Sequence, residues 1–117
     1  MRQLIRQTDR VVVASDLRVA DTFLGRLRGL MFRRGLEPGE GLLLDPCDGV
    51  HMLFMTFRID VLFLDVTNAI LKVSQNVRPW LGLAWCFGAS KTVELAAGRA
   101  SEIGLAPGDV LCLEEIP

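Results

Sequence analysis

Apolar residues run in short blocks between turn residues over most of the chain, a pattern typical of strands. The blocks predict strands at 2–6, 10–14 or 16–20, 41–45, 50–57, 59–66, 69–76, 92–96 and 110–116. The "TN" pair at 67–68 predicts a tight hairpin turn. Between 51 and 63 both odd and even positions are largely apolar, which indicates central strands that are covered on both sides.

Helical signals are few. Asp21 stands where an N-cap would stand, and the apolar residues after it have the spacing of a helix face packed on a sheet: Phe23, Leu24, Leu27, Leu30 and Met31. "GRASEIGL" at 98–105 predicts a further turn or two of helix. We therefore predict a β-rich α+β fold over residues 1–117, a single domain with a mixed sheet or small half-open barrel and one or two short helices.

The segment 78–91, "RPWLGLAWCFGASK", contains two Trp and one Phe but has no regular period. It predicts a long irregular connection. Long loops in compact domains often carry function, whereas a loop that packs on its own aromatic side chains is the structural alternative. The sequence leaves both interpretations open.

The net charge of −1 argues against nucleic acid as a partner of the chain, because nucleic-acid binding needs clustered Lys and Arg. Residues 1–40 nevertheless hold eight Arg against five acids. Arg2, Arg6, Arg10 and Arg18 could form a weak anion-binding face if their side chains converge; the alternative is scattered, solvated charge.

The three cysteines, Cys47, Cys86 and Cys112, have no CxxC spacing, so free thiols in a reducing compartment are expected. The N-terminal segment lacks the continuous apolar core of a signal peptide. The most apolar segment is 49–65. Its longest charge-free run covers only about half of the roughly 20 residues that a membrane span requires. We expect a soluble, cytoplasmic protein without a membrane span.

Several motifs occur in a recognisable order: "RLRGLMFR" (26–33), "GLLL" (41–44), "HMLFMTFRIDVLFLD" (51–65), "PW" (79–80), "VELAAG" (93–98) and "GLAPGD" (104–109). Together they resemble the prokaryotic family called domain of unknown function 192, over nearly the whole chain. The resemblance implies a compact β-rich α+β fold and no established activity. It matches His51, Asp60 and Glu94 to family positions, while Arg58 stands where many members have Pro.

Asp60 is surrounded in sequence by Ile59, Val61 and Phe63, so its carboxylate is expected in or near the core. A buried carboxylate requires hydrogen bonds or a countercharge. Either it is a pocket acid or it ties the 57–60 corner together. We favour the structural role, with Arg58, Arg78 or turn N–H groups as partners.

His51 is the only histidine. A Cu(I) site of His51, Met52, Met55 and Cys47 is conceivable, but strand alternation places Met52 on the opposite side from His51, so no metal site is predicted. Acid–base chemistry with Asp60 would require a bulge that brings both side chains to one face.

Glu94 alternates with Val93 and Leu95, so it faces either solvent or a cavity between sheet and loop. With Arg78 and Trp80 it could line a small-molecule pocket. No phosphate loop, nucleophile elbow or metalloprotease motif is present, and no cofactor is predicted.

The sequence favours a non-catalytic accessory module that binds a small molecule or a protein through loop 78–91. The ligand-binding candidates are His51, Asp60, Arg78, Trp80 and Glu94. The alternative is a small enzyme of unassigned reaction that uses His51, Asp60 or Glu94.

Overall fold

The protein is built on strands that form three sheets. The structure is a computed structural model that describes residues 2–31 and 33–117. Within these ranges it describes every side chain except those of Phe23 and Leu27. Its strands are β1 (Arg2–Arg6), β2 (Val12–Ala14), β3 (Asp16–Ala20), β4 (Glu40–Leu44), β5 (Gly49–His51), β6 (Ile59–Leu64), β7 (Ile70–Val77), β8 (Leu83–Trp85), β9 (Lys91–Ala96) and β10 (Leu111–Glu115). Two short helices are α1 (Phe23–Arg28) and α2 (Arg99–Glu102).

The central sheet has five strands in the order β3-β4-β9-β6-β7. Its β3–β4 pair is parallel and its other pairs are antiparallel. An antiparallel sheet, β10-β1-β2, and the two-stranded β5–β8 sheet accompany it. The β-rich α+β class is confirmed, and the sheets are mixed and open rather than closed into a barrel.

Side chains alternate between two apolar cores on the two faces of the central sheet. Strand β6 is buried along its whole length, as expected for a central strand. Leu62 and Leu64 belong to one core, with β1, β2, β10 and α2, whereas Ile59, Val61 and Phe63 belong to the other. The second core also contains residues of the β5–β8 region and of the segment after α1: Leu30, Leu42, Leu44, Val50, Met52, Met55, Val77 and Ala84.

Strands β6 and β7 form the predicted hairpin, but their connection covers residues 65–69 and is longer than the predicted two-residue "TN" turn. Asp65 accepts hydrogen bonds at Oδ1 from the N–H groups of Thr67 and Ala69, at 2.8 and 3.0 Å. Asn68 takes the left-handed conformation, with φ of 68°. An Asx-type turn therefore closes the hairpin, because Asp and Asn are the residues that best support this geometry.

Two predicted boundaries are wrong. Thr22, not Asp21, caps α1: its Oγ1 accepts a hydrogen bond from Gly25 N–H at 3.0 Å. The strand predicted at 50–57 ends at His51, because the chain turns after Met52: Met55 N–H bonds to Met52 O at 3.1 Å and Phe54 is left-handed, with φ of 64°. A continuous apolar run concealed this turn.

The predicted helix face lies only partly within the described residues. Leu24 is exposed and Leu30 is buried, while the side chains of Phe23 and Leu27 lie outside the description. No helix in the described part of the chain is long and apolar enough to cross a membrane.

Candidate functional site

Glu94 lies in a row of side chains that crosses one face of the central sheet. In the register of the sheet it pairs with Leu42 of β4 and with Val61 of β6, and Arg18 of β3 pairs with Leu42. Directly paired residues project from the same face. The carboxyl group of Glu94 therefore enters the apolar core to which Leu42 and Val61 contribute.

A small cavity of about 50 Å³ opens beside the Glu94 carboxyl group. Glu94 is only 4% exposed, and among the described residues no hydrogen-bond donor reaches its Oε2 atom. Burial raises the pKa of Glu94 to about 7, because the apolar surroundings penalise the charged form. The carboxyl group thus exchanges its proton near neutral pH.

The segment after α1 covers this carboxyl group. Gly29 has φ of 48°, and its N–H donates to Gly25 O at 3.0 Å to close the last turn of the helix. A Cβ atom at Gly29 would lie 3.7 Å from Glu94 Oε1. Glycine permits this conformation, since other residues adopt positive φ at a cost. The "GLM" segment of the sequence, 29–31, is therefore a wall of the cavity.

Besides Glu94, four polar side chains line the cavity: His51, Arg26, Arg28 and Cys47. His51 is exposed and accepts a hydrogen bond at Nδ1 from Leu53 N–H at 3.3 Å. This bond places the proton of a neutral ring on Nε2. Arg26 donates to Asp21 O at 2.9 Å, and the Cys47 thiol donates to Gly49 O at 3.1 Å. The other described lining residues are Gly29, Leu30, Met31, Leu44, Gly49, Val50 and Met55.

This arrangement can accept one functional group of a ligand. A carboxylic acid donates a hydrogen bond and a carboxylate accepts one, so Glu94 can do either near neutral pH. The volume suits a few water molecules or a single hydroxyl, amide or amine group. Within the described residues, no group of three His, Cys, Asp or Glu side chains is placed to hold a metal ion.

Asp60 lies on the opposite face of the sheet. Its Oδ1 accepts a hydrogen bond from Asn76 N–H at 3.0 Å, and its Oδ2 accepts from Gly98 N–H at 3.1 Å and Ala100 N–H at 2.9 Å. The carboxylate is fully buried, and it joins β7 and the start of α2 to β6. Arg58 donates to Asn76 O instead of pairing with this acid.

Arg78 and Trp80 lie away from Glu94. Arg78 lines an open groove of about 450 Å³ between β7 and residues 81–85. Trp80 is half exposed and has φ of 62°, and its ring meets Phe54 edge-on with centroids 5.3 Å apart. Of the five predicted binding residues, the structure thus brings only His51 and Glu94 to one cavity.

Sequence reasoning missed the contribution of the segment after α1. The pattern around Arg26, Arg28 and Gly29 indicates only a helix end and a loop, although these residues line the Glu94 cavity. The available signal was Gly29 directly after Arg28 and close to Arg26 in "RLRGLM". A positive-φ Gly often ends a helix, so this signal predicts the helix end. It does not predict the contact with Glu94, which lies far along the chain.

The fold is that of a small β-rich α+β domain, and in this chain a turn containing Gly29 covers the buried Glu94. The chain belongs to the domain of unknown function 192 family, described as an uncharacterized ACR, whose sequence model matches residues 4–113. A UPF0127 protein of Thermococcus sibiricus (strain DSM 12597 / MM 739) is 31% identical over 111 residues, which are 91% of this chain and 71% of the relative.

Solved structures share the fold. A protein of unknown function from Novosphingobium aromaticivorans DSM 12444 superposes with a TM-score of 0.82 at 22% identity, over 95% of this chain and 82% of the other. A candidate transcription regulator from Sinorhizobium meliloti 1021 gives 0.80 at 25% identity, over 95% and 90% of the two chains. A candidate exported protein from Burkholderia pseudomallei K96243 gives 0.52 at 11% identity, over 97% of this chain and 24% of that one.

Proposed function

We propose that this domain binds a small molecule in the cavity beside Glu94. The observation that carries the proposal is the Oε2 atom of Glu94, which is buried without a donor among the described residues and borders an open cavity. An unsatisfied buried polar atom is costly, and such atoms concentrate where a ligand or water completes the hydrogen bonding. The bound molecule supplies a hydroxyl, amide or amine group to Glu94, and His51 and Arg28 contact its outer part.

An enzymatic role for the same cavity is the second form of this proposal. A carboxyl group that titrates near neutral pH can accept or donate a proton in a reaction. Glu94 would be the acid or base, and the Nε2–H of His51 would orient the substrate. Asp60 is not part of this site, because three backbone N–H groups occupy its oxygens on the other face.

Fragment binding observed by two-dimensional amide NMR tests the proposal. The probes are acetamide, methylamine, ethanol and glycerol at millimolar concentration. We expect saturable shifts of the Gly29, Gly49 and His51 amides with at least one probe. Glu94→Leu should abolish these shifts, whereas Glu37→Leu, at an exposed acid, should retain them. Failure of all four probes to shift these amides, or equal shifts in Glu94→Leu, would contradict small-molecule binding here.

Loop 78–91 supports a second function, the binding of a protein partner. Four of its apolar side chains are largely exposed: Leu81, Leu83, Trp85 and Phe87, at 83, 63, 61 and 99%. Clustered apolar exposure of this kind marks interaction surfaces. The adjacent groove is lined by Lys72 and Arg78 and, among its described lining residues, by no acid. The complementary partner is therefore an apolar and acidic protein segment. A second copy of this chain does not fit this surface, because its own groove would present the same cations.

Selection from a displayed library of random peptides tests this second function. We expect enrichment of sequences that combine apolar and acidic residues. The double variant Leu83→Ser with Trp85→Ser should lose the selected peptides, whereas Leu24→Ser, at an exposed apolar residue of α1, should retain them. Absence of any enriched peptide, or unchanged binding to the double variant, would remove loop 78–91 as a docking surface.

We also propose a cytoplasmic location. The support is chemical: Cys47, Cys86 and Cys112 are all free thiols in the structure, as expected in a reducing compartment. Fractionation of the host cells tests this location, and recovery of the protein outside the cytoplasmic fraction would contradict it.

A further inference from the structure

A second cavity lies on the other side of the Gly29–Leu30 segment. Its volume is about 290 Å³, and Arg28, Gly29 and Leu30 border both cavities. Arg18 and Leu42 line it from the sheet, in the same cross-strand row as Glu94. Arg18 and Glu94 are two strands apart, a backbone separation of roughly 10 Å.

The charge of this second cavity is positive. Arg18, Arg28 and Arg33 line it together with one acid, Glu40, so the described lining carries two more cations than acids. Arg33 forms an ion pair with Glu40 at 3.0 Å. The pKa of Glu40 is lowered mainly by the hydrogen bond from Glu37 N–H, next by the bond from Arg33, and least by the charge of Arg18. Arg18 and Arg28 are exposed, and neither guanidinium group donates a hydrogen bond to another described residue. Two guanidinium groups with free donors therefore border one cavity.

The remaining N-terminal arginines are arranged differently. Arg2 pairs with Glu115 at 2.8 Å, Arg6 with Asp9 at 2.8 Å and Arg10 with Glu114 at 3.0 Å. Each of these cations is already matched by an acid, so the basic N-terminal segment does not form one anion-binding face. Positive charge is instead left without an ion pair at Arg18 and Arg28.

We propose that the cavity of Arg18, Arg28 and Arg33 binds the phosphate group of a small molecule. A phosphate monoester carries a charge near −2 at neutral pH, which matches the excess of two cations in the lining. Planar guanidinium groups bind phosphate oxygens in a bidentate manner. The volume is large enough for phosphate and part of the molecule attached to it. This site does not depend on Glu94, so it goes beyond the binding function proposed above.

Titration with inorganic phosphate tests the proposal, with sodium acetate at the same ionic strength as the comparison anion. We expect saturable amide shifts of Gly29, Leu30 and Gly41 that are stronger with phosphate than with acetate. The double variant Arg18→Gln with Arg28→Gln should weaken phosphate binding by at least about tenfold, since charge-assisted hydrogen bonds are lost. Arg2→Gln is the matched control, because Arg2 already pairs with an acid and does not line this cavity.

The outcomes separate this site from the Glu94 site. Glu94→Leu should leave phosphate affinity unchanged, so a failure of fragment binding there does not affect this result. The proposal would be overturned by unsaturable shifts, by equal affinity for acetate and phosphate, or by a double variant that binds like the wild type. An equal loss in Arg2→Gln would also overturn it, because general surface charge would then explain the binding.

Discussion

Asp60 and Glu94 form an informative pair, because both acids are buried on adjacent strands of one sheet but have opposite environments. Asp60 pairs in register with Leu95, and Glu94 pairs with Val61. One residue of offset therefore sends the two carboxyl groups to different faces. Asp60 accepts three backbone hydrogen bonds, whereas the Oε2 of Glu94 accepts none from the described residues.

This difference separates a structural acid from a candidate functional one more clearly than burial does. Both side chains are almost inaccessible, at 0% and 4% exposure. The Asp60 carboxyl group accepts hydrogen bonds from backbone N–H groups of β7 and of the start of α2, so it stabilises the fold by joining these elements to β6. Glu94 incurs a desolvation cost without this compensation, which is the typical condition of a group retained for binding or chemistry.

The largest effect is expected from Asp60→Asn. The amide has one acceptor oxygen, which can serve either Asn76 N–H or the N–H groups of Gly98 and Ala100. Its NH₂ group then faces the remaining N–H donors without a hydrogen bond. We expect a loss of roughly 4 kcal/mol in the free energy of unfolding, since charged, buried hydrogen bonds are removed and donors are left unsatisfied. Urea denaturation measures it. A loss below about 1 kcal/mol, the scale of an ordinary single hydrogen bond, would refute the structural role of Asp60.

A smaller effect of opposite sign is expected from Glu94→Gln. The folded pKa of Glu94, about 7, lies above its ordinary value of 4.5, so the folded state binds more protons than the unfolded chain between these values. The contribution of Glu94 to stability is therefore fully present below pH 4.5 and is lost as the pH rises through 7. Glutamine does not titrate. We expect the free energy of unfolding of Glu94→Gln to increase relative to that of the wild type as the pH rises, by as much as about 3 kcal/mol between pH 4 and 8.

Urea denaturation across this pH range measures the gain, with Glu37→Gln as the control because Glu37 is exposed. The control should follow the pH dependence of the wild type. A constant difference between Glu94→Gln and the wild type from pH 4 to 8 would show that the carboxyl group has an ordinary pKa, and the contrast with Asp60 would then disappear.

The sequence predicted the strands better than the site, for a physical reason. Alternation and turn residues are local signals, and they were sufficient for β6, β7 and β9. They also placed Asp60 near the core and favoured its structural role, because an acid between apolar residues needs partners. Strand β8, and with it the β5–β8 sheet, was missed, since so short a strand has too few positions to show a period.

The site depends on contacts between distant segments, which no local pattern encodes. Glu94 and Gly29 are adjacent only because β4 pairs with β9 while the chain after α1 crosses that face. Many ligand pockets combine a cation, an aromatic ring and an acid, and this composition suggested a common site for Arg78, Trp80 and Glu94. The structure places Arg78 in the groove beside β7, where composition alone could not locate it.

The smallest effect is expected from His51→Ala, and it sharpens the account of Glu94. His51 is exposed and accepts a single long hydrogen bond, at 3.3 Å. Stability should therefore change by no more than about 0.5 kcal/mol. The pKa of Glu94 is raised by burial and not by a charged neighbour. The pH at which Glu94 titrates, measured by carbon-13 NMR of its carboxyl group, should thus be the same with and without the imidazole. A shifted titration in His51→Ala would instead show that the two groups are electrostatically coupled, and it would favour the acid–base form of the function over simple binding.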